Sequence, residues 1–237
     1  MTKASRRLRP FASLLLALAW PALGQQTDVP RCNAYGGYTF LDSPSIGLFE
    51  NGFNAQFGVN VKSWLTAGAD YSIASGDIDL TPGLLTTALQ QRLAAQLGQL
   101  AAAGQIPPGY MLRVPQHSRT QTFAIGAQLA FRHFTHQTLF LRPVTAGAIY
   151  ETATPHPTDP IAAAISAQLA PSGHVTSYTW FLGAGGGIDF LLTRNFALRA
   201  QVDVVWNHLF DDLLENGRWT VRFSVGPAFN FGRNIPP

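Results

Sequence analysis

The strongest constraint on this chain is alternation. Over residues 53–61 every odd position is apolar (Phe53, Ala55, Phe57, Val59, Val61), and the even ones are Asn54, Gln56, Gly58 and Asn60. The pattern returns at 123–131, where Phe123, Ile125, Ala127, Leu129 and Phe131 share one parity. It returns again at 196–206, with Phe196, Leu198, Ala200, Val202, Val204 and Trp206, and at 221–231, with Val221, Phe223, Val225, Pro227, Phe229 and Phe231. Period 2 puts all the apolar side chains of such a segment on one face of a strand. A face that long and that apolar needs an apolar partner, which is either a second sheet or lipid.

The opposite face decides between them. A soluble sandwich turns Lys, Glu and Thr to water, whereas this face carries Gly, Asn, Gln, Ser and isolated Arg or Asp, which suits a narrow enclosed lumen. The apolar faces run for roughly nine to eleven residues, the length of a spanning strand. Only 12% of the chain is charged, about half the share usual for a soluble domain. The fold class expected is therefore all-β: a closed antiparallel eight-stranded transmembrane barrel, apolar outside and polar within. Closure also removes the edges that would otherwise aggregate.

Eight strands are expected at 33–42, 50–61, 64–75, 118–132, 138–151, 175–190, 195–207 and 217–231. Short turns at 62–63, 133–137 and 191–194 alternate with longer connections at 43–49, 76–117, 152–174 and 208–216, which gives the barrel a short-turn end and a long-loop end. The fifth strand is the least regular. From Leu139 to Tyr150 neither parity is cleanly apolar, and Pro143 marks an irregularity. A helix is expected over 84–103, opened by Thr81 and Pro82 and closed by Gly104 and Pro107. Its greasy face (Leu84, Leu85, Ala88, Leu89, Leu93, Leu97, Leu100) is expected to pack on the barrel rim or on neighbouring loops, the alternative being a ligand or partner surface.

The amino terminus reads as an export signal. Basic residues ending at Arg9 precede the ten-residue apolar run 11–20, and small residues Ala22 and Gly24 suit cleavage after Gly24. The expected organisation is a signal peptide at 1–24, a linker at 25–32, the barrel at 33–231 and a tail at 232–237. The formal charge of +3 comes from that leader: without Lys3, Arg6, Arg7 and Arg9, twelve basic residues stand against thirteen acidic ones, near −1. The remaining basic residues are scattered singly, so nucleic acid is excluded as a partner. Cys32 is the one cysteine, expected as a free thiol.

The segment Ser224, Val225, Gly226, Pro227, Ala228, Phe229, Asn230, Phe231 resembles the assembly signal of outer-membrane proteins, in which a polar residue is followed by a glycine and then by two alternate aromatics. Residues 181–204, FLGAGGGIDFLLTRNFALRAQVDV, are similar to the same region of small outer-membrane barrels of the OmpA and OmpX type. The resemblance spans about 33–231. It implies residence in the bacterial outer membrane among its lipids. It also implies insertion by the outer-membrane assembly machinery through Ser224, Gly226, Phe229 and Phe231, and long loops open to an extracellular partner. Two departures are the residues after Phe231 and the large insertion at 84–103.

Little in the chain points to chemistry, and neither an enzymatic role, a cofactor nor a metal is expected. Residues 183–187, GAGGG, lack the last glycine of a dinucleotide loop because Ile188 stands there, and strand alternation continues through them. Gly183, Gly185 and Gly187 face inward and leave room for bulk across the lumen. His133 and His136 flank a turn without further ligands. His174, Ser177 and Asp159 are a loose analogue of the set used by lipid-modifying barrels, at spacings matching no known motif. The informative residues are the inward charges Asp70, Arg132, Asp189, Arg199, Asp203 and Arg222. An eight-stranded lumen is just wide enough to be filled by side chains, so opposite charges should pair across it and close it. The function expected is a structural or surface-interaction barrel. The alternatives are a narrow channel for ions or small solutes, with the same charges as gates, and a lipid-modifying enzyme or soluble ligand-binding barrel. Trp64, Phe134, Trp180, Phe190, Phe196, Trp206 and Trp219 near the strand ends fit interfacial belts.

Overall fold

The computed structural model describes residues 28–107, 109–214 and 218–235. The expected signal segment at 1–24 lies outside them. Eight strands follow in order: β1 (Val29–Ser43), β2 (Leu48–Lys62), β3 (Leu65–Leu80), β4 (Val114–Phe131), β5 (Gln137–Pro155), β6 (Val175–Leu191), β7 (Phe196–Asn207) and β8 (Arg218–Ile235). Each pairs antiparallel with the next, and β1 pairs with β8, so the sheet closes on itself. Helix α1 (Thr87–Ala102) follows β3, after a 3-10 turn at Pro82–Leu84, and α2 (Pro160–Leu169) follows β5. Among the described residues no helix is long and apolar enough to cross a membrane.

Parity holds around the ring. The odd residues of β2 are outward, with Phe53, Phe57 and Val61 exposed, while Asn54 and Asn60 are buried inside. Phe123, Ile125, Leu141, Leu182, Val202, Phe223 and Phe229 continue the same exposed girdle. Such a continuous apolar surface does not persist in water, and it matches the lipid-facing band of a barrel. Trp64 and Phe196 sit on it near the short turns; Tyr178, Trp180 and Trp219 sit near the loops. Trp206 packs against Trp219, their rings tilted by 52° with centroids 4.8 Å apart.

The structure corrects the sequence reading at several edges. Residues 29–32, expected in a linker, are the start of β1, and 232–235, expected in a tail, complete β8: Val29 pairs with Ile235 and Pro30 with Asn234. The first outer connection is only Pro44–Gly47, so Phe49 already lies in β2. Strands β3, β4 and β5 rise past the girdle, pairing up to Leu80↔Val114 and Gln116↔Pro155. The α-helix begins at Thr87 rather than at 84.

The irregularity at Pro143 is a β-bulge. Between Gly126↔Thr145 and Leu129↔Leu141, β5 holds one residue more than β4. Proline cannot donate to the ladder and is accommodated at such a bulge. Pro143 and Val144 both point outward, so even residues face inward before the bulge (Thr138, Phe140, Arg142) and odd ones after it (Thr145, Ile149, Glu151). This phase change is why neither parity of the segment is cleanly apolar.

Candidate functional site

The lumen is filled at mid-height by an ionic plug. Asp70 on β3, Arg142 on β5, Asp203 on β7 and Arg222 on β8 meet across it, all 6% exposed or less. Arg222 donates to Asp70 Oδ1 at 3.0 Å and to Asp203 Oδ2 at 2.7 Å. Arg142 donates to Asp203 at 3.2 Å and also pairs with Asp70. Each carboxylate is thus held by two guanidiniums. On the short-turn side Arg199 forms a two-pronged pair with Asp189 at 2.7 and 2.9 Å, and its guanidinium lies 5.5 Å over Tyr35 and 4.8 Å over Phe140. Gln56 and Gln201 join the two clusters: Arg199 donates to Gln56, Gln56 to Gln201 and Gln201 to Asp203. Three Arg against three Asp make the plug formally neutral, as buried charge requires.

Glycine makes room for it. A Cβ on Gly185 would lie 2.1 Å from Asp203 Oδ1, and one on Gly187 would lie 2.6 Å from Phe140 Cζ. The GAGGG run is therefore a packing device on one wall of the plug. Five of the six inward charges expected from parity, Asp70, Asp189, Arg199, Asp203 and Arg222, are brought together here. Arg132 stands apart at the short-turn end, donating to the Ser63 carbonyl at 2.8 Å and to Thr138. Arg142 is missing from the sequence reading because the bulge hides its parity.

A second layer, also unforeseen, lies toward the loops. Glu151 accepts from Arg218 and, at 3.0 Å, from Ser118. Glu50 is 2% exposed with Oε1 unpartnered, and Arg218 keeps Nε and Nη1 without acceptors. Glu50 and Arg218 lie at strand starts, where alternation is too short to read, and Glu151 follows the β5 bulge.

Above this layer the inner faces turn apolar, with Leu48, Ile78, Leu80, Val114 and Val175 lining an outer chamber with a cavity of about 60 Å³. The roof is made by the loops. Leu93 of α1 and Ala162 and Ile165 of α2 form one buried cluster with Leu85, Leu112 and Val114, so the greasy face of α1 packs on a neighbouring loop. Thr86 N–H donates to the Leu213 carbonyl at 2.9 Å, stitching this loop to the one after β7. Phe210, at φ 56, is a non-glycine residue in left-handed backbone, held by its N–H donating to Ser177 Oγ at 3.1 Å.

Helix α2 starts at Asp159, whose carboxylate accepts from the Ile161 and Ala162 N–H groups and from the Tyr110 hydroxyl. The Ala162 N–H, with Tyr110 and Ile161 assisting against slight desolvation, holds Asp159 below the usual carboxylate range, and desolvation and Asp159 push Tyr110 up. The loose set His174, Ser177 and Asp159 is thus divided among other duties: Asp159 caps α2, Ser177 holds Phe210, and His174 uses its carbonyl to accept from Ser172. His133 and His136 are exposed. Among the described residues no group of three His, Cys, Asp or Glu could hold a metal ion. Cys32 is a free, half-buried thiol in β1.

The residues of the resembled assembly signal lie on β8 beside the closing seam. Ser224 is buried and bonds Thr39 at 3.0 Å. A Cβ on Gly226 would lie 2.4 Å from Gly37 Cα, so only glycine allows this approach of β8 to β1. Phe229 and Phe231 stack at 5.8 Å on the outer face.

Fold and site together define a small closed eight-stranded barrel with an apolar girdle and a plugged lumen. Among solved structures it is similar to the outer-membrane protein OprG of Pseudomonas aeruginosa (10% identity, 88% of this chain and 99% of that one, TM-score 0.49). It is also similar to Neisserial surface protein A (14%, 84% and 96%, TM-score 0.47) and to Ail, the attachment invasion locus protein of Yersinia pestis (13%, 86% and 99%, TM-score 0.45). No family model matches the chain, and no curated protein matches it.

Proposed function

We propose that this chain is an integral outer-membrane barrel that does not conduct, with a non-enzymatic structural or surface-interaction role carried by its loops. The observation that carries this reading is the plug: four fully paired charges occupy the section through which an ion would pass. The exposed girdle supports a lipid setting. The helical roof supports an outward-facing surface for an extracellular partner, since it is an ordered, packed structure that barrel closure does not need. Phe229, Phe231, Gly226 and Ser224 are read as the handle for the outer-membrane assembly machinery, and residues 1–24 as the export signal.

The test is an epitope inserted between Gly104 and Gln105, in the turn that closes α1. Antibody should label intact bacterial cells that produce the full chain. Labelling only after the outer membrane is breached would overturn the orientation, and recovery of the protein in the soluble fraction would overturn the membrane assignment.

A further inference from the structure

The fold gathers into one rim basic residues that the sequence scatters. At the short-turn end Arg31, Lys62, Arg194 and Arg233 are exposed, and Asp28 is the one exposed acid there among the described residues. At the loop end the balance is reversed: the exposed Asp42, Asp77, Asp79, Asp211 and Asp212 outnumber Arg92, Arg113 and Arg119. Asp28 is already engaged, meeting Arg194 at 3.4 Å and accepting from the Asn234 amide at 2.8 Å. Arg31, Lys62 and Arg233 have no acidic partner among the described residues. Strand pairing holds them close. The pairs Val29↔Ile235 and Pro30↔Asn234 carry β1 and β8 past Phe231, the last outward aromatic of β8, and a Cβ on Gly232, at φ 91, would lie 3.6 Å from that of Arg31. Arg233 is therefore a neighbour of Arg31 across the seam. Asn60, two residues before Lys62, donates to the Pro30 carbonyl at 2.6 Å and fixes the end of β2 beside them. Like charges on paired strands repel, so this arrangement is stabilised by an anion.

We infer that this rim is a docking surface for the headgroups of anionic phospholipids. The level of the cations on the barrel selects that occupant. Lys62, Arg194 and Arg233 each stand two residues from an outward aromatic, Trp64, Phe196 and Phe231 respectively, and rings of this kind sit at headgroup level. Long basic side chains there lay their methylenes along apolar surface and keep the charge among the headgroups. The four cations occupy the ends of β8, β1 and β2 and the turn before β7, an arc along one side of the wall. A lipid phosphodiester supplies the charged acceptor that the arc lacks, and a guanidinium can hold it through two donors. A zwitterionic headgroup brings its own cation and gains less. The inference rests on the membrane assignment proposed above and adds which lipid the wall selects.

The experiment places one fluorescent reporter at a time in the full chain, folded into phosphatidylcholine vesicles, with the remaining tryptophans replaced by Phe. Phe196→Trp reports on the arc, and Trp219, retained alone, reports on the loop end. Each is quenched with brominated phosphatidylglycerol or brominated phosphatidylcholine in increasing proportion, which gives the relative association of each lipid with that part of the wall. At Phe196→Trp phosphatidylglycerol should associate at least about tenfold more tightly than phosphatidylcholine, since more than one cation acts on it, and the preference should vanish at about 1 M salt. At Trp219 the two lipids should differ by less than about twofold. Arg31→Gln combined with Arg194→Gln and Arg233→Gln should bring the two lipids to parity at the arc while quenching by phosphatidylcholine persists, the sign that the barrel is still inserted. Should that variant not fold, Arg233→Gln alone should lower the preference at least about twofold. Equal quenching by the two lipids at Phe196→Trp would overturn the inference and give the arc to an acidic soluble partner. So would a preference that survives high salt or the triple variant, or one equally strong at Trp219. No quenching by either lipid at either reporter would instead overturn the membrane assignment itself.

Discussion

The lumen of this barrel holds two buried regions stacked a few residues apart and built on opposite principles. The plug is polar, and it is closed because every charge in it has a partner on another strand: Asp70 and Asp203 each contact both Arg142 and Arg222. The outer chamber is apolar and incompletely filled, roofed by helices that belong to loops. The same inward parity of the same strands serves both. On β3 the inner residues run Asp70, Ser72, Ala74, Gly76, Ile78, Leu80, from ionic to aliphatic. The difference teaches that the scaffold is indifferent to what fills it. Pairing across strands locks the middle, whereas the upper part is closed by contacts between loops.

The largest effect should come from breaking the plug. Asp203→Ala leaves Arg142 and Arg222 to share Asp70 as their one carboxylate in a site where Asp203 is 1% exposed, and should cost about 3–5 kcal/mol in reversible urea unfolding from lipid vesicles. A loss below 1 kcal/mol would mean that water reaches the plug and the lumen is open. On the outer wall of the same strand, Val202→Arg should cost about 2–4 kcal/mol in the same assay, because its neighbour there is lipid. An unchanged midpoint would remove the girdle from the membrane.

The roof should respond differently. Ile165→Ala in α2 should lower the free energy of local opening of the roof by about 2 kcal/mol, read as faster amide exchange in α1 and α2, with the barrel midpoint unmoved. A matching fall in the barrel midpoint would show that roof and barrel unfold as one unit, and would erase the contrast between the two regions. The smallest effect concerns the start of α2. Because its cap contacts hold Asp159 below its unfolded value, their contribution is complete above the ordinary carboxylate range and is lost as pH falls through the lower folded value. Protection of the Ile161 and Ala162 amides, relative to their intrinsic exchange at each pH, should therefore fall only on strong acidification in the native protein, and be reduced at all pH values in Asp159→Ala.

How much of this was legible in the sequence follows from geometry. Arg199, Asp203 and Arg222 sit in long unbroken alternation, where parity alone assigns a face. Arg142 sits one residue before the bulge, and a one-residue phase change moves every later side chain to the other parity. Glu50 and Arg218 stand at the starts of β2 and β8, where two or three residues cannot show a period, and Glu151 follows the bulge that reverses the parity of β5. Helix α2 had a start signal, Asp159 followed by Pro160. Its run of small residues gives no strong apolar stripe, and nothing local says that Ile165 will meet Leu93. The chamber is wholly non-local: its walls come from five strands and four loops.

The central claim, that paired charges close the lumen, is tested most directly by ion current through the purified barrel in planar bilayers. The unaltered protein should show no steady conductance. Arg142→Ser with Arg222→Ser removes bulk and both partners of Asp70 and Asp203; the double variant should carry a small steady current that prefers cations. Steady current through the unaltered protein would contradict the account and make the barrel a channel.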